Sequence, residues 1–232
     1  NNRPLYQKLI LDQGYWPESL LTPPSDEAII FDIEMTRKMG FNGVRKHQKI
    51  EDPRYYYWAD KLGLLVWGEM PAAYDFNTEE TENITREWVE FINRDYNHPC
   101  IITWVPLNES WGVRNIYTDK NQQNFALALY YISKAIDGTR LVSTNDGWEN
   151  VKSDFCSIHD YIAWGEEFTE KYGDMSILYE LNTSGRMIFA QGYEYEGQPI
   201  ILTEYGGIAF ESPDREAWGY NGAVKDVQSF IN

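Results

Sequence analysis

The sequence predicts an α/β fold of the (β/α)8 barrel class, a fragment one strand short of closure, and three observations carry that reading. Apolar runs of strand length recur, each followed by a Gly/Pro/Asp-rich turn and then a helical pattern, the signature of repeated βα units around a parallel sheet. No Gly-rich phosphate loop follows the first run, which counts against an open doubly wound sheet. Acidic residues close several runs, and in barrels of this class the chemistry gathers at the C-terminal ends of the strands.

The elements follow in order. Residues 5–11 form the first run, and a helix over about 26–39 stops at Gly40, where a left-handed backbone is wanted. The second run covers 43–46. The next helix opens on Asp52-Pro53, a capping acid before a proline in the first turn, and ends before Gly63. Run 64–68 leads to a helix whose Ile84, Trp88, Phe91 and Ile92 recur at spacings of three and four, one face for packing on the sheet. Run 101–106 precedes a helix expected to pack through Leu127, Ala128, Tyr131, Ile132 and Ala135. Runs 141–143, 155–158 and 200–203 complete a count of seven. Beyond Glu204 the pattern gives a loop over 213–222 and a helix over 223–231, so an eighth strand is missing. A barrel open in this way has two unpaired parallel edges, and association through them into a homo-oligomer, or covering of the edges, is expected.

Composition narrows the function classes. At 232 residues, 43% hydrophobic and 24% charged, residues 1–232 suit one domain with a continuous core. A formal net charge of −16 opposes phosphate backbones and anionic lipids, which argues against nucleic-acid and membrane partners, while a neutral sugar is not penalised. The same acidity also serves solubility. No apolar run approaches the ~20 residues that span a bilayer. The opening Asn1-Asn2-Arg3-Pro4 has neither an initiator Met nor a signal sequence, so the chain is expected to begin inside a longer gene product or after processing. Cys100 and Cys156 read as free, buried thiols, and no Cys/His spacing suggests zinc; no metal or cofactor is expected.

Two segments carry the chemistry. Trp104-Val105-Pro106-Leu107-Asn108-Glu109-Ser110 and Ile200-Ile201-Leu202-Thr203-Glu204-Tyr205-Gly206-Gly207 each place a glutamate just past an apolar run. Either one alone would read as a surface residue ending a strand. As a pair they match the needs of glycosidic bond cleavage with retention, in which one carboxyl protonates the leaving oxygen and a second attacks the anomeric carbon, the two standing about 5 to 5.5 Å apart. The residue acting as acid needs a raised proton affinity, from burial or neighbouring negative charge, and its partner needs donors that keep it ionised. Arg45 and Tyr161 are candidate donors; Arg45 otherwise reads as a surface ion pair and Tyr161 as a core aromatic. His159 shares the strand face of Tyr161. Glu69, Asn145, Asp146 and Trp148 follow strands and either grip sugar hydroxyls or satisfy loop backbone. Trp111 and Trp164, just past strand ends, are candidate sugar platforms.

Taken together, Gly40-Phe41-Asn42-Gly43-Val44-Arg45, Ala59-Asp60-Lys61-Leu62-Gly63-Leu64-Leu65-Val66-Trp67-Gly68-Glu69, Asn97-His98-Pro99-Cys100-Ile101-Ile102-Thr103-Trp104 running into Asn108-Glu109, and the Glu204 segment resemble the catalytic TIM barrel of glycoside hydrolase family 2, the β-galactosidases and β-glucuronidases. The resemblance covers most of the chain. It implies a retaining β-glycosidase acting on carbohydrate, with Glu109 as general acid/base, Glu204 as nucleophile and Asn108 on the sugar 2-hydroxyl. It further implies that Arg45 and Tyr161 attend the nucleophile, and that β-sandwich domains and a tryptophan-bearing final strand lie outside this chain. The sequence departs from the family at Arg45-Lys46-His47, where a Ser-His pair is usual, which puts the sugar contact of His47 and galactoside specificity in question. It also lacks the Asn-x-Lys segment with which glucuronidases hold a carboxylate. A catalytically incomplete barrel and a non-catalytic sugar-binding module are the competing readings.

Overall fold

All seven runs form strands in the computed structural model, which describes residues 3–174, 182–212 and 216–231. In chain order the first half holds β1 (Leu9–Asp12), α1 (Asp26–Lys38), β2 (Gly43–Lys46), α2 (Pro53–Leu62), β3 (Leu65–Glu69), α3 (Thr78–Asp95), β4 (Ile101–Val105), β5 (Leu107–Asn108) and α4 (Lys120–Ile136). The second half holds β6 (Leu141–Val142), β7 (Asn145–Asp146), β8 (Cys156–Asp160), α5 (Gly165–Tyr172), β9 (Asn182–Thr183), β10 (Arg186–Met187), β11 (Ile200–Tyr205), β12 (Ala209–Phe210), β13 (Ala223–Val224) and α6 (Val227–Ile231).

The strands β1-β2-β3-β4-β6 pair in that order, every pair parallel, which is the wall of an α/β barrel laid down strand by strand. The short pair β5–β7 extends β4 and β6 toward their C-terminal end and sets Asn108 opposite Asp146. A second parallel pair, β8–β11, sets Glu204 opposite His159. Among the described residues these ladders do not join into a closed ring.

Local chemistry explains the helices. Ser25 Oγ accepts from the Ala28 N–H at the start of α1, and Asp52 accepts from Arg54 N at the start of α2. Gly63 ends α2 with φ 72°, a left-handed conformation that costs glycine little. The face of α3 is the expected one: Ile84, Trp88, Phe91 and Ile92 are all buried. The face of α4 is not. Its buried residues are Gln122, Gln123, Ala126, Leu129, Tyr130 and Ser133, while Ala128, Tyr131 and Ala135 are exposed. Hydrogen bonds decide the rotation. Gln123 Nε2 donates to the carbonyls of Ile116 and Tyr117, Gln122 Oε1 accepts from Asn115 N, and Ser133 Oγ accepts from Trp88 Nε1. The polar residues are thus satisfied when buried.

The helix expected over 223–231 is shorter, 227–231, because Ala223–Val224 pairs with β12 instead, with Glu211 N donating to Val224 O. Part of the expected 213–222 loop, residues 213–215, lies outside the described residues. The main core lies between sheet and helices, while Trp67, Val105 and Phe155 form a separate cluster, the Trp67 and Phe155 rings 5.3 Å apart. Trp67 lies two residues before Glu69 on the same strand face, so this packing sits beneath the strand ends and supports the groups above it. Both cysteines are free and buried, and burial pushes the Cys156 thiol up to about 12. No described helix is long and apolar enough to cross a membrane.

Candidate active site

Polar residues from the ends of four strands converge on Arg45 of a fifth. Buried on β2, its guanidinium donates through Nε to Glu69 Oε2 on β3 at 2.7 Å, through Nη1 to Glu204 Oε1 on β11 at 2.7 Å, and through Nη2 to Asn108 Oδ1 on β5 at 2.7 Å. Asp146 Oδ2 on β7 stands 3.0 Å from Nη1. Burial alone would strip charge from this group; Asp146, Glu69 and Glu204 outweigh it and hold the guanidinium firmly charged.

Glu204 is aimed by an irregularity. The β8–β11 register shifts between Leu202 and Glu204, and such a bulge turns the side chain that follows it. Its two oxygens take different donors: Oε1 accepts from Arg45, and Oε2 accepts from Tyr161 Oη at 2.5 Å. The Tyr161 hydroxyl also stands 3.2 Å from Glu109 Oε1, so one phenol touches both glutamates. Burial, then Glu204, raise the Tyr161 proton affinity strongly, which keeps the hydroxyl a donor. Oxygens of Glu109 and Glu204 and a ring nitrogen of His159 all lie within 4.8 Å of one another.

Glu109 sits in a left-handed turn with φ 51°, followed by Ser110 with φ 58°, conformations that non-glycine residues adopt at a cost. The turn is held from several sides. Glu109 N donates to Asp146 O at 2.9 Å, Ser110 N to Asn145 Oδ1 at 2.9 Å, and Ser110 Oγ to the buried Glu149 at 2.5 Å. His159 Nδ1 then meets Glu109 Oε1 at 2.7 Å. The expected rise in Glu109 proton affinity is reversed here. Burial does push it up, but the hydrogen bond and charge of His159, with Tyr161, bring it below the ordinary carboxylate value. His159 is driven the other way: burial opposes its charge, yet Asp146 and Glu109 raise it to about 9, so it is an imidazolium at neutral pH.

Of the residues singled out in the sequence, Arg45, Glu69, Asn108, Glu109, Asp146, His159, Tyr161 and Glu204 therefore meet in one network. Glu69 and Asp146 differ from the role of gripping hydroxyls: both are fully buried, and their carboxylates face Arg45 and its neighbours rather than open space. Asn145 is likewise buried, its amide donating to Trp148 O and Ser110 Oγ. His47, despite its shifted position, lies 3.0 Å from Glu69 Oε1 and 3.7 Å from Glu204 Oε1. Trp111 is 37% exposed beside Tyr74 and beneath the Arg114 guanidinium, and Trp164, 54% exposed, precedes α5. Their rings lie outside the polar network just described.

Three contributors escaped the sequence reading. Gly147 packs against the His159 imidazole so closely that a Cβ there would fall 2.6 Å from Nδ1. Tyr220 stacks on Tyr161 at 4.1 Å, and Asn221 donates to the backbone carbonyls of Tyr161 and Gly206. The Asn-Asp-Gly-Trp turn was the available signal for Gly147; nothing local marked the other two. The Glu109, His159 and Glu204 trio has the spacing of a metal ligand set, but its donors are committed. Both imidazole nitrogens face carboxylates, and Arg45 Nη1 supplies a cation 2.7 Å from Glu204.

Comparison with known proteins identifies the family and the fold. The family model for glycosyl hydrolases family 2, TIM barrel domain, matches residues 25–216. A Formosa agariphila protein provisionally named a β-glucuronidase is 33% identical over 182 residues, covering 76% of this chain and 20% of that protein. A β-galactosidase of Vibrio cholerae is 30% identical over 160 residues, 65% of this chain and 14% of that protein. Among solved structures, a β-galacturonidase of Eisenbergiella tayi bound to galacturonate superposes with a TM-score of 0.72 at 21% identity, covering 94% of this chain and 39% of its own. The chain thus spans a small part of the length of these relatives, and within that part it belongs to glycoside hydrolase family 2 as the TIM-barrel domain.

Proposed function

We propose that the protein carrying this chain is a retaining β-glycosidase that cleaves neutral, galactoside-type sugars by double displacement. Glu204 attacks C1 while Glu109 protonates the departing oxygen; water then attacks the glycosyl ester, with Glu109 taking its proton. The observation that carries this reading is the contact of one Tyr161 hydroxyl with both carboxylates, whose nearest oxygens lie within 4.8 Å of each other, which supports the close spacing of a retaining pair. Asn108 Nδ2 adds support: it is a buried donor with no protein partner among the described residues, while its Oδ1 is fixed by Arg45. On this reading that amide serves the sugar 2-hydroxyl.

The preference for a neutral sugar rests on charge. The network contains four acids, Glu69, Glu109, Asp146 and Glu204, against the cations Arg45 and His159, and a uronate would add another anion. The competing reading, a barrel that is incomplete without the rest of the protein, draws on the small share of the relatives that the chain spans. Association through the outer edges of β1 and β11 is a further proposal, read by light scattering.

The test is Glu204→Gln in the full-length protein, assayed on 4-nitrophenyl β-galactoside, glucoside, mannoside and glucuronide. Loss of nearly all turnover with the galactoside preferred is the expected result. Unchanged turnover removes the assignment, and a glucuronide preference removes the substrate class alone.

A further inference from the structure

His159 is completely buried and both its ring nitrogens already face carboxylates, so its imidazole keeps no free donor for a sugar. Its Nδ1 meets Glu109 Oε1 at 2.7 Å and its Nε2 meets Asp146 Oδ2 at 3.0 Å, a carboxylate on each nitrogen. The other charged groups facing the ring are Glu204 Oε1 on β11 at 3.5 Å and Arg45 Nη1 on β2 at 3.3 Å. The Trp148 ring meets the imidazole edge-on at 5.8 Å, and Gly147, with φ 109°, lies against it where a side chain would collide. The backbone of this turn is thus shaped around one ring orientation.

Resting on the assignment of Glu109 as acid/base, we propose that His159, backed by Asp146, is a positioning residue that pins Glu109 Oε1, leaves Oε2 for the reacting oxygen, and governs when Glu109 carries a proton. Asp146 suits this task because Arg45 and His159, overcoming the effect of burial, hold it well below the usual carboxylate range, so it stays an anion that fixes Nε2–H. In the resting enzyme the pair holds one proton, on Nδ1. For the first step it passes to the Glu109 carboxyl group, leaving His159 neutral; the carboxyl group, released from its charged partner, turns and gives the proton to the leaving oxygen as the C1–O electron pair departs with that oxygen. The pair then carries no proton, and as water attacks C1 and the C1–O bond to Glu204 breaks, Glu109 takes the water proton and returns it to Nδ1, which restores the resting pair. Groups sharing one proton titrate as a pair, so this proton remains available until the pH passes the His159 value of about 9.

The experiment uses the full-length enzyme with His159→Asn and Asp146→Asn. In the wild type the basic limb of kcat/KM should fall near pH 9, and it should move at least one unit toward acid in His159→Asn, and in the same direction in Asp146→Asn. Loss should be greater for phenyl than for 2,4-dinitrophenyl β-galactoside, since only the poor leaving group needs the proton. Mass shifts on incubation with 2,4-dinitrophenyl 2-deoxy-2-fluoro-β-galactoside report that Glu204 still reacts in each variant. Nitrogen-15 NMR of the wild-type histidines supplies a readout independent of activity, and His159 should stay an imidazolium to about pH 9. A basic limb unmoved in both variants, losses equal for both leaving groups, or His159 titrating near 6.5 overturns the proposal. Absence of any glycosidase activity in the wild type would instead remove the reading on which it rests.

Discussion

Replacing Arg45 by glutamine should cost more stability than any other single change at the barrel mouth. The guanidinium faces Glu69 at 2.7 Å, Asp146 at 3.0 Å and Glu204 at 2.7 Å, and the first two acids are fully buried. Removing one partner of a buried ion pair leaves a charge that neither water nor protein compensates, at a cost of about 3 to 5 kcal/mol. For a domain of this size that is a fall in Tm of roughly 10 °C. The loss should depend on pH. In the wild type Asp146 is held below the usual carboxylate range, so its contribution to stability is present above the unfolded value and is lost only in strong acid. In the variant only His159 and Ser143 still oppose the effect of burial on Asp146, so its proton affinity rises relative to the wild type, and the penalty grows as pH rises and eases as pH falls. Guanidinium chloride unfolding of wild type and Arg45→Gln at pH 5 and pH 7.5 reads both effects. A loss below about 1 kcal/mol, or an equal loss at the two pH values, would refute the electrostatic account.

Tyr161→Phe removes the hydroxyl shared by the two glutamates. A hydrogen bond to a charged group is worth about 1.5 to 3 kcal/mol, so kcat/KM on aryl glycosides should fall between about tenfold and about a hundredfold, with little change in Tm. Gly147→Ala forces a side chain onto φ 109° and toward His159 Nδ1; calorimetry should show a loss of about 1 to 3 kcal/mol, and activity should drop with it. His159 is raised from 6.5 to about 9, so it stabilises the fold fully below pH 6.5 and this contribution disappears as pH rises through 9. The span corresponds to about 3 kcal/mol, and denaturant midpoints taken between pH 6.5 and 10 should fall in the wild type and flatten in His159→Asn.

Seven of the thirteen strands among the described residues were legible, most of them as apolar runs between turn residues, a pattern that survives without knowledge of partners, whereas the two-residue strands β5, β7, β9, β10, β12 and β13 are set by pairing that no local run announces. The face of α4 was not legible either. Its Gln122, Gln123 and Ser133 look like solvent residues until the carbonyls of Ile116 and Tyr117 and the indole of Trp88 are set beside them. The same limit applies at the site. Glu109, Glu204, Arg45, His159 and Tyr161 could be named from position, but a residue type at a strand end does not reveal depth, so Glu69 and Asp146 read equally as hydroxyl-gripping or loop residues when both are fully buried against Arg45. The direction of the Glu109 shift was missed for a related reason. Burial and negative neighbours were foreseeable, whereas the imidazolium that outweighs them comes from β8, fifty residues along the chain.

That imidazolium also explains how the site tolerates its acids. The network sets four carboxyl groups against Arg45 and His159, and close packing of like charge costs energy in a buried place. On the proposed mechanism the imbalance falls when it matters: esterification of Glu204 removes one carboxylate, while Arg45 keeps Glu69 and Asp146 as partners and so stays in place. Repulsion in the resting site is thereby relieved in the glycosyl ester, which lowers the cost of forming it relative to the free enzyme. The charges therefore need not move to assist the reaction. Their positions are set beforehand by strand ends, by the bulge at Glu204 and by the turn at Glu109, and the reaction alters only which of them remain charged.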